Sequence, residues 1–431
     1  MQRRNQKSTW CLTLLAAALT MAWAAEIVRA NDKSLVGKNV YPRSPSILVK
    51  RGTETIATGA GLSFPVVVRQ QAEDFVTIWV NKSKQEGQVL RQDILTASEA
   101  IPVFTPQFVK NPKDLYTAFM LSLAWEDTGN LDQAIGIVSQ ALESQPHAVF
   151  YNRRGNLWQR KRAYWQAIQD YNASLRLDPT STSCLFNRGL AYSHQGTNDL
   201  AIADFNAVLK ASPLNASAFV ARGACWKSKG VEDRALSDFT MAIILNPDEP
   251  LAYQERAHLW YKKGQNIKAL ADYTEALRLQ HKSNNSTTYL NRGLVWVKLG
   301  LYGLALSDFD HAIRSDSRNA TAYNNRGWIR ATCPDKSYRN GKLALADARL
   351  ACELADWNSP HHLSTLGEAS AEVGDFASAI HWQNRASQLQ QKLQPGDAEF
   401  ETGSKARLDC YKAGKPFREA RPTEMIGKLT P

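Results

Sequence analysis

The residues best placed to do chemistry are arginines and aspartates that recur together. Arg154 and Asp170, Arg188 and Asp204, Arg222 and Asp238, Arg256 and Asp272, and Arg292 and Asp308 are each separated by 16 positions. A planar guanidinium offers paired N–H donors to both oxygens of a carboxylate. Five such pairs form either a row of charges facing a ligand or a set of internal locks, and the second reading leads because partial burial holds such pairs closed. Other chemistry is sparse. The eight histidines are scattered, and His361 and His362 are adjacent, so they point to different sides of a helix and cannot share an ion as i, i+4 partners can. No H-E-x-x-H, nucleophile elbow or phosphate-cradling glycine loop occurs. The expectation is no metal, no cofactor and no catalytic set, and therefore no enzyme.

Six cysteines are present, and removal of a leader that contains Cys11 would leave five: Cys184, Cys225, Cys333, Cys352 and Cys410. An odd number cannot all pair within one chain, and no C-x-x-C occurs. They read as small buried hydrophobes. The formal charge is +11 in a chain that is 44% hydrophobic and 22% charged. Its lysines and arginines are dispersed rather than gathered in runs, so nucleic acid is not an expected partner.

The elements that position these residues announce themselves by repetition. Asn152-Arg-Arg-Gly155, Asn187-Arg-Gly189, Ala221-Arg-Gly223, Glu255-Arg-Ala257, Asn291-Arg-Gly293 and Asn325-Arg-Gly327 end on a small residue at intervals of 34, 34, 34, 36 and 34. Alanines at 134, 167, 201, 235, 269 and 305 and prolines at 146, 179, 213 and 247 keep the same register. Each unit reads as two helices. In one of them the first runs from Leu185 to Gln195 and stops at Gly196, and the second runs from Asp199 to Lys210 before Ser212-Pro213. The small Gly189 and Ala201 let the pair approach closely, with Tyr192 and Phe205 filling the space around them.

This pattern resembles the tetratricopeptide repeat, whose period is 34. Tyr151, Phe219, Tyr253, Tyr289 and Tyr323 stand at that family's first aromatic, and Trp158, Tyr192, Trp226, Trp260 and Trp296 at its second. Eight units are counted between about 114 and 390, the first degenerate, with Leu121 in place of glycine, and the seventh interrupted between its helices by Cys333 to Gly341. The resemblance implies a mainly α fold, a right-handed α-solenoid whose first helices line a peptide groove. In that family an asparagine before the arginine often contacts the ligand backbone. Asn187, Asn291 and Asn325 match that position, with Asn152 one place earlier. A carboxamide there can give and accept hydrogen bonds together. The lysine and second asparagine of a carboxylate clamp are not aligned. A protein or peptide ligand is the expected partner.

The ends differ in texture. Residues 31–110 carry short β-branched or aromatic runs, Ile47 to Val49, Pro65 to Val68 and Phe75 to Val80, between glycines. They are expected to form a small all-β barrel resembling bacterial Src-homology-3-like domains. Residues 111–392 form the solenoid, and residues 393–431 a C-terminal capping helix and tail. At the N-terminus Arg3, Arg4 and Lys7 precede an apolar run of 16 residues from Trp10 to Ala25, followed by small residues. That is the order of a secretory signal over residues 1–30, and the run is short of the roughly 20 residues a bilayer span needs. The expected location is periplasmic or secreted. The Asn-Arg-Gly repeats, the Cys-Pro-Asp interruption and the closing Tyr411-x-Ala-Gly-Lys-Pro-aromatic-Arg-Glu419 together resemble exported tetratricopeptide proteins of planctomycete bacteria. Two functions follow: a protein-interaction scaffold, or a cell-envelope or wall-attached structural protein anchored through the β module, with possible cell-wall or membrane-surface association.

Overall fold

A computed structural model describes residues 37–51, 54–58, 66–71, 75–80, 85–280 and 285–420. The expected signal segment lies outside them. The chain divides into two units, one ending at Pro213 and one beginning at Leu214.

The first unit opens with seven strands: β1 (Asn39–Pro42), β2 (Leu48–Arg51), β3 (Glu54–Thr58), β4 (Val66–Gln71), β5 (Phe75–Val80), β6 (Gln85–Leu90) and β7 (Ile94–Leu95). They pair antiparallel in the order β3-β2-β6-β5-β4-β1-β7. Side chains alternate across a strand, so Val66 and Val68 are buried while Val67 and Arg69 are exposed. With Val40, Val49, Val76, Ile78, Val89 and Ile94 they build one apolar core. Where a small barrel is expected, the described strands form one sheet that ends on β3 and β7. The last strand, β7, lasts two residues and is followed directly by a helix.

That helix, α1 (Ala97–Lys110), occupies a stretch the sequence assigns to the β module. Pro102 and Pro106 in its interior hide it, since proline removes a helical donor. Two features carry it nonetheless. Thr96 and Glu99 form a capping box, and Ala100, Ile101, Phe104 and Phe108 form a buried stripe. Three helix pairs follow: α2 (Leu115–Asp127) with α3 (Leu131–Ser144), α4 (Ala148–Arg160) with α5 (Tyr164–Leu177), and α6 (Thr182–His194) with α7 (Asn198–Ala211). The sheet is fastened to α2. The Tyr41 hydroxyl donates to Asp127, Asn39 Nδ2 donates to the same carboxylate at 2.8 Å, and Tyr116 donates to the Pro42 carbonyl at 2.8 Å. Tyr41 and Leu95 share one core with α1 and α2, so the sheet and α1 cover the open end that a helical array otherwise exposes.

The second unit continues with α8 (Ala216–Ser228) and α9 (Glu232–Leu245), α10 (Pro250–Lys262) and α11 (Asn266–Leu279), α12 (Ser286–Lys298) and α13 (Tyr302–Ser315), α14 (Ala320–Thr332) and α15 (Gly341–Leu354), and α16 (Pro360–Glu372) and α17 (Phe376–Leu393), closed by α18 (Ala398–Lys412). Eighteen helices thus stand in tandem among the described residues, eight pairs with one helix before and one after. The interruption between α14 and α15 holds a 3-10 turn at Lys336–Tyr338, capped by Asp335.

The repeated small residue is a packing device. A Cβ added to Gly155, Gly189, Gly223 or Gly293 would stand 2.5, 2.7, 2.8 or 2.6 Å from the ring of Tyr171, Phe205, Phe239 or Phe309. In these four pairs the second helix presses an aromatic ring edge against the first.

A second glycine ends most first helices in the left-handed region, as at Gly196 (φ 78°) and Gly230 (φ 75°). Arg162 holds that place after α4 with φ 59° and makes the same hydrogen bonds, its own N–H to the Gln159 carbonyl and that of Ala163 to the Trp158 carbonyl. A left-handed non-glycine residue costs about 1–2 kcal/mol, and a glycine gives part of that back as unfolded-chain entropy. Arg162→Gly is therefore expected to raise unfolding stability by about 0.5–1 kcal/mol, measured by urea titration.

Candidate functional site

The arginines and aspartates of the 16-residue spacing face one another across each helix pair. Arg154 Nε and Nη2 meet the two oxygens of Asp170 at 2.8 and 2.7 Å. The same fork closes at 2.8 and 2.6 Å for Arg188 with Asp204, 2.9 and 2.7 Å for Arg222 with Asp238, 2.8 and 2.8 Å for Arg256 with Asp272, and 2.8 and 2.8 Å for Arg292 with Asp308. The aspartate side chains keep 4–10% of their surface and the arginines 18–23%. Hydrogen bonding to the carboxylate lifts Arg154 and Arg188 above the ordinary guanidinium range.

The third guanidinium nitrogen crosses to the preceding repeat. Arg154 Nη1 donates to Ser139 at 3.0 Å, Arg188 Nη1 to Asn172 at 2.7 Å, Arg256 Nη1 to Thr240 at 3.2 Å and Arg292 Nη1 to Thr274 at 3.2 Å. Each guanidinium also lies over an aromatic ring of its own helix, 5.8 Å from Tyr151, 5.8 Å from Tyr253 and 5.7 Å from Tyr289. One arginine therefore ties three helices, and its charge is matched within the protein by the aspartate of its own pair. The polar residue two places after each aspartate (Asn172, Thr240, Thr274) signals this clamp in the sequence.

A further member escapes the fixed spacing. Arg326 forks onto Asp347 at 2.9 and 2.6 Å and reaches Asp310 at 2.6 Å, while Arg330 adds a bond to Asp347 at 2.6 Å. The interruption between α14 and α15 lengthens the interval to 21 residues, which conceals the pair from a search at 16.

The four asparagines on the first helices divide into two kinds. Asn187 Nδ2 donates to Asn156 Oδ1 at 3.0 Å and lies 3.4 Å from Asn152 Oδ1, and the Tyr171 hydroxyl donates to Asn156 at 2.8 Å. In the first unit, then, Asn152 and Asn187 serve contact between neighbouring helices, joined by Asn156, which the spacing does not single out. Asn291 and Asn325 are half-buried on α12 and α14, and no hydrogen bond reaches either side chain among the described residues. Asn324 beside them is buried with an unpartnered Oδ1.

Of other features, an open hollow of about 450 Å³ lies over Tyr289, Arg292, Trp296 and His311, but its charge is the Arg292–Asp308 fork already closed. Burial raises the thiols of Cys184 and Cys333 and pushes Cys352 up to about 12, far from nucleophilic range. Among the described residues no group of three or more His, Cys, Asp or Glu could hold a metal ion, and no helix is long and apolar enough to cross a membrane.

The tetratricopeptide-repeat family profile matches residues 119–182 and 186–250. These residues are tetratricopeptide repeats. The match spans α2 to α9, and the helix pairs of α10 to α13 keep the repeat's arginine–aspartate fork. No curated protein matches the chain. Among solved structures, a tetratricopeptide repeat protein from Parabacteroides merdae is 22% identical, with 52% of this chain and 88% of that one covered and a TM-score of 0.43. YrrB, described as a tetratricopeptide repeat protein with an unusual peptide-binding site, is 19% identical over 44% of this chain and 97% of its own, with a TM-score of 0.37. PilW, a type IV pilus biogenesis factor, is 16% identical over 52% and 97%, with a TM-score of 0.44.

Proposed function

We propose that the chain is a non-enzymatic interaction scaffold whose first helices hold a protein or peptide partner outside the cytoplasm. The observation that carries this reading is the contrast between neighbours on the same first helices. Arg292 and Arg326 are bonded to aspartates within the protein, whereas the half-buried Asn291 and Asn325 beside them, 34 positions apart, make no hydrogen bond to the described residues. An extended peptide backbone supplies both the donor and the acceptor that a carboxamide lacks. The tetratricopeptide repeats support a protein partner. The basic end and short apolar run at Arg3 to Ala25 support export.

A second reading, a cell-envelope or wall-attached structural protein, places binding in the N-terminal sheet, taken as an Src-homology-3-like anchor. The two separate in one experiment. The mature chain and an Asn291→Ala/Asn325→Ala variant are used to capture partners from envelope extract, with thermal unfolding recorded for both. The scaffold reading expects unchanged melting and at least a ten-fold loss of captured partner, the scale of two lost hydrogen bonds. Equal capture by both proteins moves the site to the sheet.

A further inference from the structure

Two stretches about 80 positions apart in the sequence, the interruption after α14 and the segment after α18, meet in the second unit. Helix α18 ends in a six-residue stop. Gly414 (φ 67°) donates to the Tyr411 carbonyl at 3.0 Å and Lys415 to the Cys410 carbonyl at 3.0 Å. Pro416 cannot resume the helix, and the chain leaves it without regular structure, half-buried from Pro416 to Glu419.

It then crosses the ends of two helices. The Glu419 N–H donates to the Thr332 carbonyl at 3.1 Å and Arg418 Nη1 to the Ala331 carbonyl at 3.1 Å, which satisfies last-turn carbonyls of α14. Arg418 Nη2 stands 2.5 Å from Glu372 Oε2 at the end of α16, while Arg339 from the interruption lies 3.3 Å from the other oxygen. Phe417 packs against Ala371, Ala379 and Tyr411 under the Arg407 guanidinium, 5.0 Å away, which in turn pairs with the buried Glu368 at 2.5 Å.

We propose that this trough between α14, α16 and α18 is a peptide-accepting site, filled in cis by residues 415–419, and that it takes in trans an extended partner segment with an aromatic residue followed by arginine. The cis segment defines the chemistry: a ring for the Phe417 position, a guanidinium for Glu372, and a backbone N–H for the Thr332 carbonyl. The fit is incomplete, because Glu368 Oε2 and the Tyr411 hydroxyl are buried there with no hydrogen-bond partner. A competing segment that supplies a donor gains what the cis segment leaves unmet. The site is separate from Asn291 and Asn325. A short tether gives the cis segment an effective concentration in the millimolar range, so an identical free peptide cannot displace it from the native chain.

The test uses the full chain and a fluorescent hexapeptide, Lys-Pro-Phe-Arg-Glu-Ala, copying residues 415–420, followed by anisotropy. The native chain is expected to show no saturable binding, and the Phe417→Ala/Arg418→Ala chain at least ten-fold tighter binding. Adding Glu372→Gln to that variant should weaken binding ten-fold or more, while Asn291→Ala/Asn325→Ala should leave it unchanged. Absence of binding by a Phe417→Ala/Arg418→Ala chain with native helical content overturns the proposal. Should that variant fail to fold, amide exchange on the native chain decides. The Glu419 amide is expected to exchange at least 100-fold faster than amides within α16, showing that the segment lifts off alone, and equal protection overturns the proposal.

Discussion

Asp238→Ala is expected to lower unfolding stability by about 2–4 kcal/mol. Asp238 takes both oxygens' worth of hydrogen bonds from Arg222 and keeps 7% of its side-chain surface. Its removal leaves a guanidinium that is only 21% exposed facing apolar neighbours, with the Phe219 ring 5.4 Å below it. A fully buried pair loses about 3–5 kcal/mol when one partner goes, and the residual exposure of Arg222 lowers that figure. Replacing both residues together, as Arg222→Met/Asp238→Leu, should recover much of the loss, because no unpaired charge remains. Urea unfolding of the two variants measures the difference. An Asp238→Ala chain that melts normally yet loses a partner would instead make the clamp a ligand-reading surface.

Gly189→Leu comes next in size, with an expected cost of about 3 kcal/mol from overpacking. Its Cβ alone would sit 2.7 Å from Phe205, a fully buried ring that cannot retreat into solvent. Gly189→Ala should cost far less. Alanine gains about 1 kcal/mol of helix propensity over glycine, and Ala257 already faces the buried Tyr273 at the same place in another repeat. Phe205→Ala alone should cost about 3–5 kcal/mol by opening a cavity. The decisive measurement is the double variant Gly189→Leu/Phe205→Ala, in which leucine occupies the space the ring vacates. Its cost should fall short of the sum of the two single variants by more than 1 kcal/mol. Strict additivity would mean the glycine and the ring do not share that space.

Much of this architecture is legible because the physics repeats. A small residue recurring on the first helices and a proline after half of the second helices give period and pair boundaries from composition alone. What the sequence conceals, it conceals for local reasons. Helix α1 carries two interior prolines that argue against helix one residue at a time, and only its buried stripe and capping box outweigh them. The Arg326–Asp347 fork is lost from a fixed-interval search because the interruption adds residues between partners that still meet in space. The strands follow their alternating valines, but their order does not, since hydrophobic pattern fixes which face of a strand is buried and not which strand it pairs with. For the asparagines, sequence position groups Asn187 with Asn291 and Asn325. Only the neighbouring helix, with Asn156 in one case and no partner in the others, separates a helix-to-helix bond from an open amide.

The fastening of the segment after α18 also has a consequence in time. Arginine–aspartate forks close over 16 residues, so a repeat emerging from a ribosome can complete them almost as soon as it is made. The Ala331 carbonyl waits 87 residues for Arg418, which at cellular rates of elongation is roughly 4–17 s. Through the later part of that interval, once Glu372 has been made, the ends of α14 and α16 both stand uncovered. The newborn chain thus passes through a stage in which a stranger can reach this surface before the chain's own segment arrives.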